Sequence, residues 1–270
     1  MLTTWRPSGI VTFTSDYGVR DSYVAQVKGV ILERAPTSTI IDVTHEVAAQ
    51  DILEGAFQLA TAWRAFPVGT IHLAVVDPGV GSERRAVSIL ADGHAFVLPD
   101  NGLATFVLAE AHQVAAWSLD RSEWFRQPVA PTFHGRDIFG PICGLLASGM
   151  SLAEVGTPLD PASLVKLPIQ PVIASGGSVV GPIVSIDRFG NCRTLIRREQ
   201  LPDESETLCI RCGQLELLGI VRTFADVAPG MPLAYFGSHG GLEIAVRDGN
   251  AAATWHLERG MLVEVRRAVT

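Results

Sequence analysis

The sequence predicts an α/β N-terminal domain, with a largely parallel sheet flanked by helices, followed by a smaller all-β barrel C-terminal domain. Three observations carry this. From residue 9 to about 150, short β-branched runs alternate with longer helical patterns, which is how a parallel sheet covered by helices reads. Beyond about residue 177 come short strand-like runs, "SVVGPIVSID", "CRTLI", "TLCIRC", "LELLGIV", "PLAYFG", "GLEIAV" and "MLVEVRR", separated by turns with little helix between them. Between the two, "TPLDPASLVKLPIQPVIASGG" is rich in Pro, Ser and Gly and has no sustained period, which reads as a linker. The expected division is residues 1–165, a linker over 166–177, and 178–270.

Each N-terminal element has its own warrant. "GIVTFTSDYG" is a strand ending in a polar turn, and "DSYVAQVKGVILERA" carries a helical stripe at Tyr23, Val24, Val27, Val30 and Ile31. "TIIDVTH" is the next strand, "DILEGAFQLATAWRAF" the next helix, and "TIHLAVVD" a third, strongly apolar strand. "RRAVSILADGHAFVLPDNG" reads as a hairpin turning at Asp92-Gly93, and "LATFVLAE" as a short helix. "PTFHGRDIFGP" opens an amphipathic helix with His134 on the loop at its start.

Composition narrows the function. A chain of 270 residues, 47% hydrophobic and 18% charged, is globular and long enough for a large core. The net charge of −7, with no cluster of Lys and Arg, excludes nucleic acid as a partner. An acidic field suits a cationic small molecule, and it also serves solubility. The start "MLTTWRPSGIVTFTSDYG" has no apolar leader region and no long uncharged apolar run follows, so no membrane association is expected and the protein is expected in the cytoplasm. Cys143, Cys192, Cys209 and Cys212 are too few and too irregular for a disulfide scaffold. "CIRC" has the spacing of a metal or redox pair, but no second pair or nearby His completes four ligands, and the alternation of Leu208 and Ile210 reads as a strand carrying structural thiols. No metal and no cofactor is expected.

Chemistry is expected at the carboxyl ends of the first strands, where loops and helix starts converge with unpaired donors. Asp16 and Asp77 both sit at such ends, each before a tight turn, "DYG" and "DPG". Aspartate in these places also caps turns and helices, so either role is open to each alone. "VVDPGVGSERR" returns a guanidinium, Arg84, seven positions after Asp77, and His134 offers an imidazole that can titrate or orient water, or simply bond to backbone. In the second domain "FGN" (Phe189 to Asn191), "GSHGG" and "GNAAAT" present an aromatic face, amides and tight backbone, which suit a planar heterocycle as well as ordinary turns.

Taken in order, "TFTSDYG", "IIDVTHEV", "DILEGAF", "HLAVVDPGVGSERR", "LPDNGL", "PTFHGRDIFGP", "SIDRFGN" and "GNAAA" resemble the S-adenosyl-L-methionine (SAM) hydroxide adenosyltransferases, also called SAM hydrolases, relatives of the fluorinase and chlorinase. The resemblance spans nearly the whole chain. It implies cleavage of SAM by water to adenosine and methionine, with a homotrimer whose sites lie between the N-terminal domain of one subunit and the C-terminal domain of its neighbour. Carried over, Asp16 grips both ribose hydroxyls, and Asp77, Arg84 and His134 form the Asp-Arg-His set of the hydrolases. Asp187 lies near the methionine ammonium, and Phe189 and Asn191 contact the adenine side. Ser238 falls where the methionine carboxylate binds, and Phe224 with the Asn250-Ala251 backbone completes the adenine pocket.

Fluorinase-like sequences carry Tyr, Thr and Ser where this chain has Asp77, Val80 and Gly135, and chlorinase-type relatives keep that Tyr, so the resemblance points to water rather than halide as the nucleophile. His239 stands where the fluorinase has Arg near the methionine. On this reading Asp77 faces the attacking water, Arg84 fixes the carboxylate bidentately, and His134 accepts or relays the proton. The three would titrate as a coupled set, so which of them activates the water is left open by the residues alone. Two other readings are halide-dependent 5′-halogenation of SAM and a non-catalytic adenosine or SAM sensor.

Overall fold

The computed structural model describes residues 5–169, 172–174, 176–201 and 207–268. The chain divides into two compact units, Met1–Leu167 and Pro168–Thr270. Part of the expected linker, residues 170, 171 and 175, lies outside the described residues, and Val172–Ala174 within it is a strand.

In the N-terminal unit the elements follow as β1 (Ile10–Ser15), α1 (Tyr23–Arg34), β2 (Thr39–Thr44), α2 (Ile52–Ala62), β3 (Ile71–Val75), β4 (Ala86–Ala91), β5 (His94–Pro99), α3 (Thr105–Glu110), β6 (Val114–Ser118), α4 (Gly140–Ala147), α5 (Leu152–Val155) and β7 (Thr157–Leu159). The sheet runs β2-β1-β3-β5-β4-β6-β7. It is parallel through β2-β1-β3-β5 and antiparallel from β5 to β7, so the expected α/β domain is present with a mixed sheet. The antiparallel half follows from the Asp92-Gly93 hairpin, where both residues take positive φ, 46° and 83°. Such a two-residue turn joins only antiparallel neighbours.

The central strands β1, β3, β4 and β5 are buried on both faces, whereas the edge strand β2 is largely exposed. Ile71, Leu73 and Val75 of β3 pack with Val11 and Phe13 of β1 against Val27 and Ile31 of α1 and Phe139, Ile142 and Leu146 at α4. On the opposite face Ala74 and Val76 join Leu59 of α2, Trp63, Phe96, Leu98 and Leu103. The period of two therefore feeds two cores, which is why β3 reads as a continuous apolar run. The chain leaves β1 in one direction to β2 and returns to β3 on its other side, so β1 and β3 flank a topological switch point. The segment before α4 differs from expectation: Gly135–Phe139 is a turn of π-helix, and Gly140 to Leu146 of α4 are all buried. This helix is not amphipathic, because α1 and the sheet cover it.

The C-terminal unit contains β8 (Val172–Ala174), β9 (Ser178–Ile186), β10 (Cys192–Arg197), β11 (Leu208–Cys212), β12 (Leu215–Leu218), β13 (Pro232–Phe236), β14 (Gly241–Val246), the short α6 (Ala251–Trp255) and β15 (Leu262–Arg267). Its strands pair antiparallel in the order β12-β11-β15-β9-β10-β14-β13, with β8 on β9, and curl as a nearly closed barrel around Ile183, Ile196, Ile210, Leu242, Ile244 and Val263. The four cysteines are buried free thiols, and burial pushes their pKa up, Cys192 to about 12. Thiols held so far from the thiolate form are poor nucleophiles. Among the described residues no group of three or more His, Cys, Asp or Glu is placed to hold a metal, and no helix is long and apolar enough to cross a membrane.

Candidate active site

The site starts from strand register. β1 and β3 are adjacent and parallel with Ser15 opposite Val75, so Asp16 and Asp77 leave the sheet at the same edge, one and two residues past their strands. A pocket of about 350 Å³ lies over this edge, lined by Asp16, Tyr17, Asp77, Val80, His134 and Gly135 among others. A larger cavity of about 630 Å³, around Trp5, Asp92 and His112, lacks such chemistry, since Asp92 there is engaged by Arg64 and by the N–H groups of His112 and Gln113.

The loop after β3 explains why Arg84 comes back beside Asp77. Val80 N–H donates to Asp77 C=O at 3.1 Å and Ser82 N–H to Gly79 C=O at 3.1 Å, two successive turns that reverse the chain. Gly81 has φ 80° and a Cβ on it would lie 2.7 Å from Pro131 C=O, so a side chain here would collide with the loop that leads to His134. Arg84 Nε donates to Asp77 Oδ1 at 2.8 Å and Oδ2 at 3.0 Å, and its Nη2 makes a further short contact to Oδ2. The same Nη2 lies 2.8 Å from His134 Nδ1. A guanidinium only donates, so Nδ1 is the acceptor and the neutral imidazole carries its proton on Nε2. Burial, and then the charge of Arg84, pull the His134 pKa below its ordinary value, which agrees with that neutral tautomer.

His134 opens the π-turn, and Asp137 anchors the loop before it. The fully buried Asp137 carboxylate accepts from Ala130 N–H at 2.8 Å and from Arg136 at 2.7 and 2.9 Å. Burial alone would raise its pKa, but these hydrogen bonds prevail and hold it below the usual range. Asn101, from "LPDNG", donates from Nδ2 to Val76 C=O at 2.8 Å and so ties down the residue before Asp77.

Asp16 Oδ2 accepts from Gln50 N–H at 2.8 Å. Behind it a hydrogen-bonded chain runs from the buried Ser15 and His45 out to the surface: Ser15 Oγ lies 2.8 Å from His45 Nδ1, and His45 Nε2 lies 3.0 Å from Oδ1 of the exposed Asp42, whose other oxygen meets Lys28 Nζ at 2.6 Å. Ser15 has no exposed surface, so this is not a nucleophilic triad. It braces the Asp16 loop through Tyr17 N–H to Ser15 Oγ at 3.3 Å and Gly18 N–H to His45 C=O at 2.7 Å. The sequence reading singled out neither this hydrogen-bonded chain nor Tyr17, although "DVTH" and "DYG" contain them.

In the C-terminal unit Asp187, Phe189, Asn191, Asn250 and Ala251 come together. Asp187 Oδ1 accepts from the N–H groups of Phe189 and Asn191, each at 2.9 Å, and Oδ2 from Asn191 Nδ2 at 2.9 Å. Gly190, at φ 84°, packs against Asn250, with no room for a Cβ, and its C=O receives Ala252 N–H. Asn250 Oδ1 caps α6 through Ala253 N–H at 2.8 Å. Phe189 is left 70% exposed, an aromatic face held up by its own turn. Phe224 packs on Tyr235 with ring centroids 5.0 Å apart, and Ser238 is exposed in the turn after β13. His239 is largely buried, its Nδ1 3.1 Å from Glu243 Oε1, so it is not displayed as a surface Arg would be.

The N-terminal unit matches the model of the SAM hydroxide adenosyltransferase N-terminal domain over residues 11–156, and the C-terminal unit matches that of the family's C-terminal domain over residues 181–264. The chain belongs to the SAM hydroxide adenosyltransferase family. A protein named (R)-S-adenosyl-L-methionine hydrolase from Salinispora tropica is 39% identical over 247 residues, 91% of this chain and 93% of that protein. One of the same name from Thermus thermophilus is 37% identical, covering 94% and 98%. A fluorinase from Actinoplanes sp. is 31% identical over 96% and 98%. A crystal structure of an uncharacterized conserved protein from Thermotoga maritima superposes with a TM-score of 0.88 at 34% identity, over 95% of this chain and all of that one.

Proposed function

We propose that this protein hydrolyses S-adenosyl-L-methionine to adenosine and L-methionine, with water attacking the ribose C5′. The observation that carries the reading is the Asp77–Arg84–His134 cluster on the pocket that Asp16 also lines. Hydrolase-named relatives at 37–39% identity support the same reaction.

The leaving group is a sulfonium that departs as a neutral thioether, so no general acid is needed and the demand falls on the nucleophile. Asp77 Oδ2 accepts both Nε–H and Nη2–H of Arg84, whereas Oδ1 accepts Nε–H alone and keeps a lone pair for water. As the water oxygen bonds to C5′, its proton passes to Asp77, and the electron pair of the breaking C5′–S bond goes to sulfur. Holding water in line and drawing off its proton is worth several kcal/mol of barrier. Neutral His134, held at Nδ1 by Arg84, keeps that guanidinium in place and is available for relay through Nε2. A carboxylate at this position repels halide, so halogenation is disfavoured.

Asp16 takes the ribose hydroxyls with its free acceptor capacity. Asp187 takes the methionine ammonium, Ser238 its carboxylate, and Phe189, Asn191, Phe224 and the Asn250-Ala251 backbone the adenine. The protein works as a homotrimer with each site completed by a neighbour's C-terminal domain, and its place is the cytoplasm, where its free buried thiols stay reduced. Incubation with SAM in isotopically labelled water, with chloride present, tests the reaction. Label in the 5′-oxygen of adenosine with equimolar methionine is expected; intact SAM or a halogenated nucleoside would overturn the reading.

A further inference from the structure

Tyr17 lines the same pocket as Asp77 and His134, and its phenolic hydroxyl takes no part in the Asp77–Arg84–His134 contacts. We propose that Tyr17 is a further catalytic residue, its hydroxyl donating a hydrogen bond to the water that attacks C5′; this rests on the hydrolytic reading.

The ring is fixed by an aromatic cage. Phe13 meets it edge-on at 6.2 Å, Phe133 at 6.0 Å, and Tyr23 lies tilted at 5.9 Å between centroids. These contacts aim the phenol without engaging its oxygen, and among the described residues the hydroxyl has no hydrogen-bond partner. Its position is marked by Gly135: a Cβ there would stand 2.2 Å from Tyr17 Oη. The hydroxyl thus fills the space a side chain at 135 would take, next to His134 and on the wall of the pocket that Asp77 lines. A half-buried tyrosine whose hydroxyl faces a polar pocket without a protein partner is placed to hydrogen-bond a small molecule held there.

The chemistry requires such a donor. Water losing a proton to Asp77 gains negative charge on oxygen, and stabilising that charge calls for a fixed donor. Arg84 is committed to Asp77 and His134. Burial, then the charges of Asp16 and Asp77, raise the Tyr17 pKa, so the phenol stays protonated and donates rather than accepts a proton. The attacking oxygen has two lone pairs, one for C5′ and one for Tyr17.

The test compares wild type, Tyr17→Phe and the double variant Tyr17→Phe with Gly135→Ser in steady-state SAM hydrolysis, with melting temperature measured alongside. In Tyr17→Phe kcat falls about tenfold, the worth of one hydrogen bond, while KM and melting temperature hold. Removing the phenol oxygen leaves ring atom Cζ as the nearest contact to a Cβ at 135, at 3.2 Å, so the serine fits after a small shift and returns a hydroxyl to the vacated space. Recovery of at least a few-fold in kcat is expected. Unchanged kcat in Tyr17→Phe, a loss confined to KM, or no recovery in the double variant overturns the assignment while leaving hydrolysis standing. A wild type that does not hydrolyse SAM overturns both.

Discussion

Asp77 and Arg84 form a pair whose removal can be dissected into a folding cost and a chemical cost. Their side chains are 5% and 10% exposed, and Arg84 also bonds to His134. Asp77→Asn keeps shape but leaves a buried guanidinium without its counter-charge, and Arg84→Met leaves a buried carboxylate alone; each should cost about 3–5 kcal/mol. For an N-terminal unit that ends at Leu167 this is a fall of roughly 6–20 °C in melting temperature. The double variant strands neither charge, so its cost should be smaller than the sum of the singles by at least about 3 kcal/mol. Turnover behaves differently. All three variants lose the positioned carboxylate or its clamp, and kcat should fall roughly 10²–10⁴-fold in each. Urea titrations followed by circular dichroism, with adenosine release measured by chromatography, read both quantities. Strictly additive stability losses would refute the buried-pair argument, and a double variant that regains wild-type turnover would refute the role of Asp77 in activating water.

Asp16→Ala should weaken adenosine and SAM together by calorimetry, since one carboxylate serves the ribose common to both; unchanged affinities would remove the ribose assignment. The acid limb of kcat/KM should lie below the ordinary imidazole pKa of about 6.5, because burial and Arg84 hold His134 neutral and protonation would break its bond from Arg84; a limb above that value would contradict the tautomer deduced from the geometry. His72 is buried between Thr12 Oγ1 at 2.8 Å and His94 at 3.1 Å, and burial lowers its pKa to about 3. The unfolded chain binds this proton below about pH 6.5 and the folded chain does not, so stability is full above that pH and drains away as pH falls toward 3. At about pH 5 the loss relative to about pH 8 is about 2 kcal/mol, or roughly 4–8 °C in the melt of the N-terminal unit. His72→Asn should flatten that slope, and an unaltered slope would show the proton lands elsewhere.

Much of the fold was legible because local chemistry and global packing agree. Val11, Phe13, Ile71, Leu73 and Val75 announce strands by β-branching and apolar run, and Asp92-Gly93 announces its hairpin by its tolerance of positive φ. The mixed character of the sheet was harder to read, since the parallel order β2-β1-β3-β5 depends on crossovers while the antiparallel half depends on one turn. The buried α4 read as amphipathic because polar Arg136 and Asp137 sit at its start, where they staple the preceding loop and leave the rest of the helix apolar all round.

Sequence by itself determined which residue types sit at which strand ends: Asp16 and Asp77 one step beyond apolar runs, Arg84 returned by Pro and Gly, and His134 before a glycine. Those are consequences of spacing and turn chemistry, which act over a few residues. Only the tertiary structure decided that Arg84 shares one guanidinium between Asp77 and His134, that this fixes the imidazole tautomer, that Ser15, His45 and Asp42 brace the Asp16 loop, and that Tyr17 claims the space over Gly135. Each of these joins residues far apart in the chain, and hydrogen-bond direction and steric exclusion act through distances of about 3 Å that no local pattern encodes.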